Sequence, residues 1–325
     1  MTPVSVRPRR LIRTRSLKLV EFSKYRRIPP YAILSHRWIH GEEITFQEFK
    51  KLGAETKSKP GFDKIRNACQ QALKDGLRYI WIDTCCINEG DHDDVVRNIR
   101  SMYAYYQNSQ VCYTYLVDVD AVSLTGAGSF RNSKWFHRGW TLQELLAPRQ
   151  VIFFNKDWER IGSKHDLRSE IASVTTIPQE VLSGERPIHD VDPLRRMTWA
   201  VGRETTKPQD QAYCLLGLLG VSIDPDYGED VRVSFERLRM VFVQAHPERE
   251  EALESVEDFY SFLNDQYQDA RRNALFDRPA ESRSLSPVTI SHETSSTTLT
   301  KQREEIKDDT GRVTVGPERR SEDLL

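Results

Sequence analysis

Residues 29–38 read Pro-Pro-Tyr-Ala-Ile-Leu-Ser-His-Arg-Trp, an apolar run that begins after two prolines and ends in polar side chains. The apolar part, residues 31–35, is too short for a helix and follows turn residues, so it predicts a buried β-strand. Three more runs of this kind follow, at residues 79–83, 111–116 and 151–154. The sequence therefore predicts four core strands.

Helical patterns separate these strands. Between residues 62 and 75, apolar residues recur at helical spacing, and Gly76 ends the pattern. A second helical period covers residues 93–108, and a short helix is expected at residues 140–146, before Pro148. Strands that alternate with helices predict an α/β fold with a mainly parallel sheet and flanking helices. Ligands of such sheets bind beyond the carboxyl ends of the strands.

The later part of the chain is expected to be mostly helical. An apolar helix is predicted at residues 210–219, an amphipathic helix at 231–246 and a further apolar stripe between 253 and 267. From residue 277 onward polar residues dominate, which predicts disorder. We expect a basic N-terminal segment with one candidate strand (1–28), an α/β domain (29–160), a helical extension (161–270) and a disordered tail (271–325).

The bulk composition indicates an intracellular, cytoplasmic protein. The formal net charge of the 325-residue chain is −1, which gives no general attraction to nucleic acid, and no apolar run is long enough to span a membrane. The five cysteines lie in apolar runs without a C-x-x-C pair, so buried free thiols are expected rather than a metal site. The Arg-rich residues 1–27 leave a mitochondrial presequence open as an alternative.

The end of the first strand carries the first candidate site. Ser35, His36 and Arg37 would place a hydroxyl, an imidazole and a guanidinium at the carboxyl edge of the sheet, which suits phosphate or ribose hydroxyls. The alternative is a strand-to-loop corner with a buried Trp38 and surface charges. His36 and His40 have the i, i+4 spacing of some metal ligands, but no helix is expected there, so we predict no metal.

Two carboxylates complete the set of candidates. Asp83 ends the second predicted strand, where it would either accept a hydrogen bond from a ribose hydroxyl or cap the following turn. A helix from Trp140 turns Leu142 and Leu145 inward and Glu144 to another side, so Glu144 is either a cleft residue or a surface one. A carboxyl group beside aromatic rings can have a raised pKa or stabilise a developing cation.

Several blocks together resemble the fungal heterokaryon-incompatibility (HET) domain. The blocks are Pro-Pro-Tyr-Ala-Ile-Leu-Ser-His-Arg-Trp (29–38), Trp-Ile-Asp-Thr-Cys-Cys-Ile-Asn (81–88), Ser-Met-Tyr-Ala-Tyr-Tyr (101–106) and Arg-Gly-Trp-Thr-Leu-Gln-Glu-Leu-Leu-Ala-Pro (138–148). Shorter matches between residues 196 and 229 support them. This chain departs from many relatives at Ile39-His40, before Gly41, and at Glu89. The resemblance implies non-self recognition and programmed cell death after cell fusion, through self-association or through other incompatibility proteins of the HET and NACHT types.

A second resemblance concerns mechanism. The strand–Ser-x-Arg opening and the later Trp-x-x-x-Glu-Leu, here Trp140 and Glu144, are similar to the TIR domain, which has a flavodoxin-like sheet. In NAD-cleaving TIR domains the corresponding glutamate is catalytic, so the resemblance implies that Glu144 is catalytic and that NAD is a substrate rather than a tightly bound cofactor. The residues expected to line the dinucleotide cleft are Ser35, His36, Arg37, Trp38, Asp83 and Trp140.

Three hypotheses remain open from the sequence. The chain is a NAD glycohydrolase that self-association switches on, a death-signalling adaptor of the same fold that acts through its contacts, or an inactive relative. The position of Glu144 separates the first two. A Glu144 that faces a pocket formed by Ser35, His36 and Asp83 would favour the enzyme. A Glu144 that is buried in a salt bridge, or that points to open solvent away from that pocket, would favour the adaptor.

Overall fold

In the computed structural model, which describes residues 6–22, 28–120 and 129–247, the predicted core strands lie together in one mixed sheet. Within the described residues the sheet has seven strands in the order β2-β1-β4-β3-β5-β6-β7. The strands are β1 (Arg10–Arg13), β2 (Lys18–Glu21), β3 (Ala32–His36), β4 (Tyr79–Trp81), β5 (Val111–Tyr115), β6 (Val151–Phe154) and β7 (Arg160–Ser163).

The four central strands, β4-β3-β5-β6, are parallel. Taken in chain order they are arranged second-first-third-fourth, which is the order of a flavodoxin-like sheet, so the α/β prediction is confirmed. Antiparallel strands complete both edges: the β1–β2 hairpin pairs with β4, and β7 pairs with β6. The strand order reverses between β3 and β5, so the carboxyl ends of these two strands mark the expected ligand-binding edge.

The helices connect the parallel strands and then form a second group after the sheet. They are α1 (Phe46–Lys50), α2 (Ala54–Ser58), α3 (Pro60–Lys74), α4 (Asp83–Cys86), α5 (His92–Gln107), α6 (Thr141–Leu146), α7 (Arg168–Thr175), α8 (Gln179–Ser183), α9 (Pro193–Thr198), α10 (Asp210–Tyr213), α11 (Leu216–Leu219) and α12 (Val231–Ala245). Helix α3 starts at Pro60, where the missing N–H of proline costs nothing, and it ends just before Gly76, whose φ is +75°. No helix of the described residues is long and apolar enough to cross a membrane.

The core lies on both faces of the parallel strands. All five residues of β3 are buried, as expected for a central strand that is covered by helices on both sides. Aromatic side chains fill much of the space: the Trp81 ring packs edge-on against Tyr105 and Tyr106 of α5, with centroid distances of 5.7 and 6.0 Å. The described residues all fall within one compact unit.

The structure corrects four details of the sequence interpretation. Asp83 does not end a strand but begins α4, and the predicted helix at 210–219 is two short helices, α10 and α11. The N-terminal segment contains two strands rather than one, and β7 was not predicted. The stripe at 253–267 and the tail at 271–325 lie outside the described residues, and the domain boundaries at 28, 160 and 270 stay predictions.

Candidate functional site

Glu144 lies on α6 with only 4% of its surface exposed. Ser35, near the end of β3, donates a hydrogen bond from Oγ to Glu144 Oε2 at 2.5 Å. Trp135 in turn donates from Nε1 to Ser35 Oγ at 2.8 Å. The serine hydroxyl is therefore oriented toward the carboxyl group by an indole N–H behind it.

The surroundings of Glu144 favour its neutral form. Burial, and then the charge of Asp83, raise the pKa of Glu144 to about 8, although hydrogen bonds from Ser35 and Tyr106 and the charge of Arg138 oppose the shift. A carboxyl group with this pKa is mostly protonated at neutral pH. Strong perturbation by burial and a specific charged neighbour is typical of functional sites, although buried structural networks also produce it.

Asp83 follows β4 and contacts residues from the end of β3. Its Oδ2 accepts a hydrogen bond from Trp38 Nε1 at 2.8 Å, and its Oδ1 accepts one from the backbone N–H of Thr84 at 2.8 Å. His36 Nδ1 is 4.0 Å from the same Oδ1 atom. Asp83 therefore caps its own turn and also holds Trp38, whose side chain remains 42% exposed.

A second charged group fixes the loop that follows β3. Glu43 Oε2 lies 3.3 Å from His36 Nε2 and 2.5 Å from Lys64 Nζ of α3, and Glu43 Oε1 accepts from the backbone N–H of Ile39 at 3.1 Å. Burial would raise the pKa of Glu43, but His36 and Lys64 outweigh it and lower the pKa to about 2. The loop is thus tied to both β3 and α3.

Part of the chain is similar to known proteins. Residues 31–130 match the family model described as Heterokaryon incompatibility protein (HET). Over 220 residues the chain is 41% identical to Vegetative incompatibility protein HET-E-1 of Podospora anserina. The chain carries a HET domain. The aligned part is 66% of this chain but 16% of that relative, so the chain spans a small part of the relative's length. No solved structure matches the chain.

The fold brings together most of the residues that the sequence singled out. Ser35 contacts Glu144, while Trp38 contacts Asp83 and His36 lies beside it. The side-chain carboxyl groups of Glu144 and Asp83 lie at the C-terminal ends of β3 and β4, next to the point where the strand order reverses. Glu144 itself lies beyond the stretch that matches the HET family model. The roles of these residues stay predictions.

Two predicted residues face other neighbours. Arg37 is partly buried and lines a small cavity with Lys64 and Tyr115, to which Glu144 does not contribute. Trp140 hydrogen-bonds the carboxyl group of Asp210, which also accepts from the Tyr227 hydroxyl at 2.8 Å. Trp140 therefore contacts the helical part of the chain in this structure.

Four contacting residues were not assigned to the site from the sequence. Glu43 contacts His36 and Lys64 contacts Glu43, whereas Tyr106 contacts Glu144 and Trp135 contacts Ser35. Only Glu43 could have been found from the sequence, because it closely follows the Ser-His-Arg-Trp block. The other three come from α3, α5 and the 3₁₀ turn Lys134–His137, which only the tertiary fold brings to this edge.

The combined groups suit one kind of chemistry. An ionised carboxylate can stabilise a developing oxocarbenium ion, and a second carboxylate with a serine hydroxyl can hold ribose hydroxyls. Among residues 6–22, 28–120 and 129–247, Glu144 forms no salt bridge, and no group of three or more His, Cys, Asp or Glu side chains is arranged to hold a metal. Glu144 contacts Ser35 and is influenced by the charge of Asp83, as the enzyme hypothesis requires in part, and its near-complete burial also suits a structural role.

Proposed function

We propose that this chain acts in heterokaryon incompatibility, the recognition of non-self after cell fusion, and that its activity leads to cell death. The match of residues 31–130 to the HET family and the 41% identity to an incompatibility protein support the first part. Because the chain spans 16% of that relative, cell death, the partners and the cytoplasmic location belong to the proposal.

For the mechanism we propose NAD glycohydrolysis at Glu144. The observation that carries it is the 2.5 Å hydrogen bond between Ser35 and Glu144 beside Asp83, at the sheet edge where α/β folds bind nucleotides. In the reaction the C–N bond between nicotinamide and ribose breaks, and its electron pair leaves with nicotinamide. Water adds to the ribose carbon and loses a proton to solvent. The ionised form of Glu144, which is the minor form at neutral pH and the major form above pH 8, would stabilise the positive charge that develops on the ribose ring.

A second candidate function is an adaptor that signals through self-association. The observation in its favour is that Glu144 is 4% exposed and already hydrogen-bonded within the protein. In this case Ser35 and Glu144 hold α6 against β3, and the signal passes through contacts between copies or with other incompatibility proteins.

One experiment separates the two candidates. The purified full-length chain, free and artificially clustered, is incubated with NAD, and release of nicotinamide is measured for wild type and Glu144→Gln. Glu180→Gln, at a half-exposed carboxylate on α8, is the matched control. Release by wild type and by the control, but not by a folded Glu144→Gln protein, supports the glycohydrolase. No release by any form, while expression still kills cells, rejects the glycohydrolase and leaves the adaptor.

A further inference from the structure

Residues 203–206 pair with the turn that precedes α6, far earlier in the chain. The backbone N–H of Glu204 donates to His137 O at 2.6 Å, and the N–H of Gly139 donates to Glu204 O at 2.9 Å. Gly139 permits this approach, because a Cβ atom there would lie 2.6 Å from Thr205 Cγ2. The two segments therefore form a close, strand-like contact at the start of the helix that carries Glu144.

This contact fixes two guanidinium groups. Arg203 donates from Nη1 to the backbone O of Arg138 at 3.0 Å and to Thr141 Oγ1, on the first residue of α6, at 3.1 Å. Its Nε donates to Trp199 O at 2.9 Å. Arg138 donates from Nη2 to Thr206 Oγ1 at 2.8 Å. Arg203 is thus held by the turn before α6 and by the first residue of α6, and Arg138 is held by Thr206 of the segment 203–206.

The charge on Arg203 is not neutralised by the atoms that it contacts. All three of its hydrogen bonds end on uncharged oxygen atoms, and no carboxylate of the described residues forms a salt bridge with it. Burial lowers the pKa of Arg203 to about 10, so it keeps its charge at neutral pH, and Cys214 and Glu144 are the groups that oppose the shift. Glu144 is thus the carboxyl group whose charge acts on the partly buried Arg203.

The other groups around Glu144 either favour its ionised form, disfavour it or stay uncharged. Asp83, from α4, disfavours the carboxylate, and Arg138 favours it. Tyr106 of α5 and Cys112 of β5 face the same carboxyl group, but burial raises the pKa of both, so they stay uncharged. The two arginines are the cations in this set, and the pairing of residues 203–206 with residues 137–141 holds both of them.

We propose that residues 203–206 are a positioning segment, because their pairing with residues 137–141 holds the guanidinium groups of Arg138 and Arg203 at the start of the helix that carries Glu144. The inference rests on the proposed function, in which the carboxylate form of Glu144 stabilises positive charge. It assigns a role at the site to a part of the chain that lies outside the stretch matched by the HET family model.

The test is a ¹³C NMR titration of the glutamate carboxyl carbons in the full-length protein, with the Glu144 resonance identified by its loss in Glu144→Gln. In Arg203→Gln the titration midpoint of Glu144 should rise by about one pH unit, because a nearby cation is lost. Thr206→Val leaves both charges in place but frees Arg138, so it should raise the midpoint by less. Arg196→Gln is the matched control: this buried arginine on α9 bonds the backbone O of Leu218 and should leave the midpoint unchanged.

An unchanged midpoint in a folded Arg203→Gln protein overturns the inference. If that variant does not fold, Thr206→Val decides by the same criterion, because Thr206 is exposed and we expect its substitution to leave the fold intact. The titration does not depend on catalysis, so the glycohydrolase proposal and the positioning segment can be rejected independently of each other. A shifted midpoint together with a wild type that releases no nicotinamide rejects the glycohydrolase and keeps the positioning segment. Release of nicotinamide by wild type together with an unshifted midpoint keeps the glycohydrolase and rejects the positioning segment.

Discussion

A carboxyl group that the fold buries in its neutral form makes the protein less stable as the pH rises. The pKa of Glu144 is about 8 in the folded protein and about 4.5 when unfolded, so the folded state binds the extra proton between these values. The stabilising contribution is complete below pH 4.5 and is lost as the pH rises through 8. With about 1.4 kcal/mol for each pKa unit, the loss amounts to about 5 kcal/mol at most.

We therefore expect Glu144→Gln, which resembles the neutral acid, to lose less stability than wild type between pH 5 and pH 9. The measurement is the free energy of unfolding in urea at several pH values. The difference between the two proteins isolates Glu144 from other titrating groups, such as the buried Lys164. Glu180→Gln is the control and should follow wild type. Parallel curves for wild type and Glu144→Gln would contradict the assignment of a neutral Glu144.

A second prediction concerns Ser35. Ser35→Ala removes a hydrogen bond to Glu144 and leaves the Trp135 indole N–H without its acceptor, so we expect a loss of about 1–3 kcal/mol in the free energy of unfolding. The pKa of Glu144 should rise further, since Ser35 favours the carboxylate. Ser173→Ala, at an exposed serine on α7, should cost less than about 0.5 kcal/mol in the same urea titration. Equal effects of the two substitutions would exclude this role for Ser35.

At the scale of the element, apolar runs located the central strands well. The predicted strands at residues 31–35, 111–116 and 151–154 agree with β3, β5 and β6 to within one residue at either end, because strands buried on both faces are almost entirely apolar. The two strands that were missed, β1 and β7, read RLIR and RIGS. Each has only one or two apolar residues, so the edges of the sheet could not be recognised from pattern alone.

Helix α6 shows why the burial of Glu144 could not be predicted from the sequence either. An amphipathic pattern normally leaves one side of a helix exposed, and spacing assigned Glu144 to a side away from Leu142 and Leu145. The helix has only six residues, of which five are buried, because β3, α5 and the turn before it surround it. Tertiary packing, not the local pattern, decides the burial of this carboxyl group.

A third prediction tests how the later helices pack on the sheet domain. A Cβ atom on Gly217 of α11 would lie 2.1 Å from Tyr103 Cβ of α5, a clash with a part of the side chain that cannot rotate away. Gly217→Ala should therefore lower the free energy of unfolding by about 3 kcal/mol, measured by urea denaturation. Gly53→Ala is the control, since the nearest atom is 3.7 Å away, and it should be close to neutral. A neutral Gly217→Ala would disprove the close α5–α11 contact.

At the scale of the whole molecule, the cysteines report on global unfolding. All five are buried, and burial raises the pKa of Cys69, Cys86 and Cys214 to about 12. Thiolate is the reactive form, so we expect no rapidly reacting thiol in the native protein at pH 7.5 and five in denaturant, measured with a colorimetric disulfide reagent. Ser173→Cys, at an exposed position, should add one fast thiol. A fast thiol in native wild type would contradict the buried arrangement.

The pairing of residues 203–206 with the turn before α6 also has a consequence for synthesis. A ribosome releases Glu144 well before Arg203 and Thr206, and domains fold as their residues emerge, at about 5–20 residues per second. The nascent chain can form the sheet order of β3 to β6 while the start of α6 still lacks its two guanidinium contacts. A polypeptide that is truncated or stalled before residue 203 therefore carries Glu144 but not its complete surroundings. Translation itself delays the assembly of this site until most of the described chain has left the ribosome.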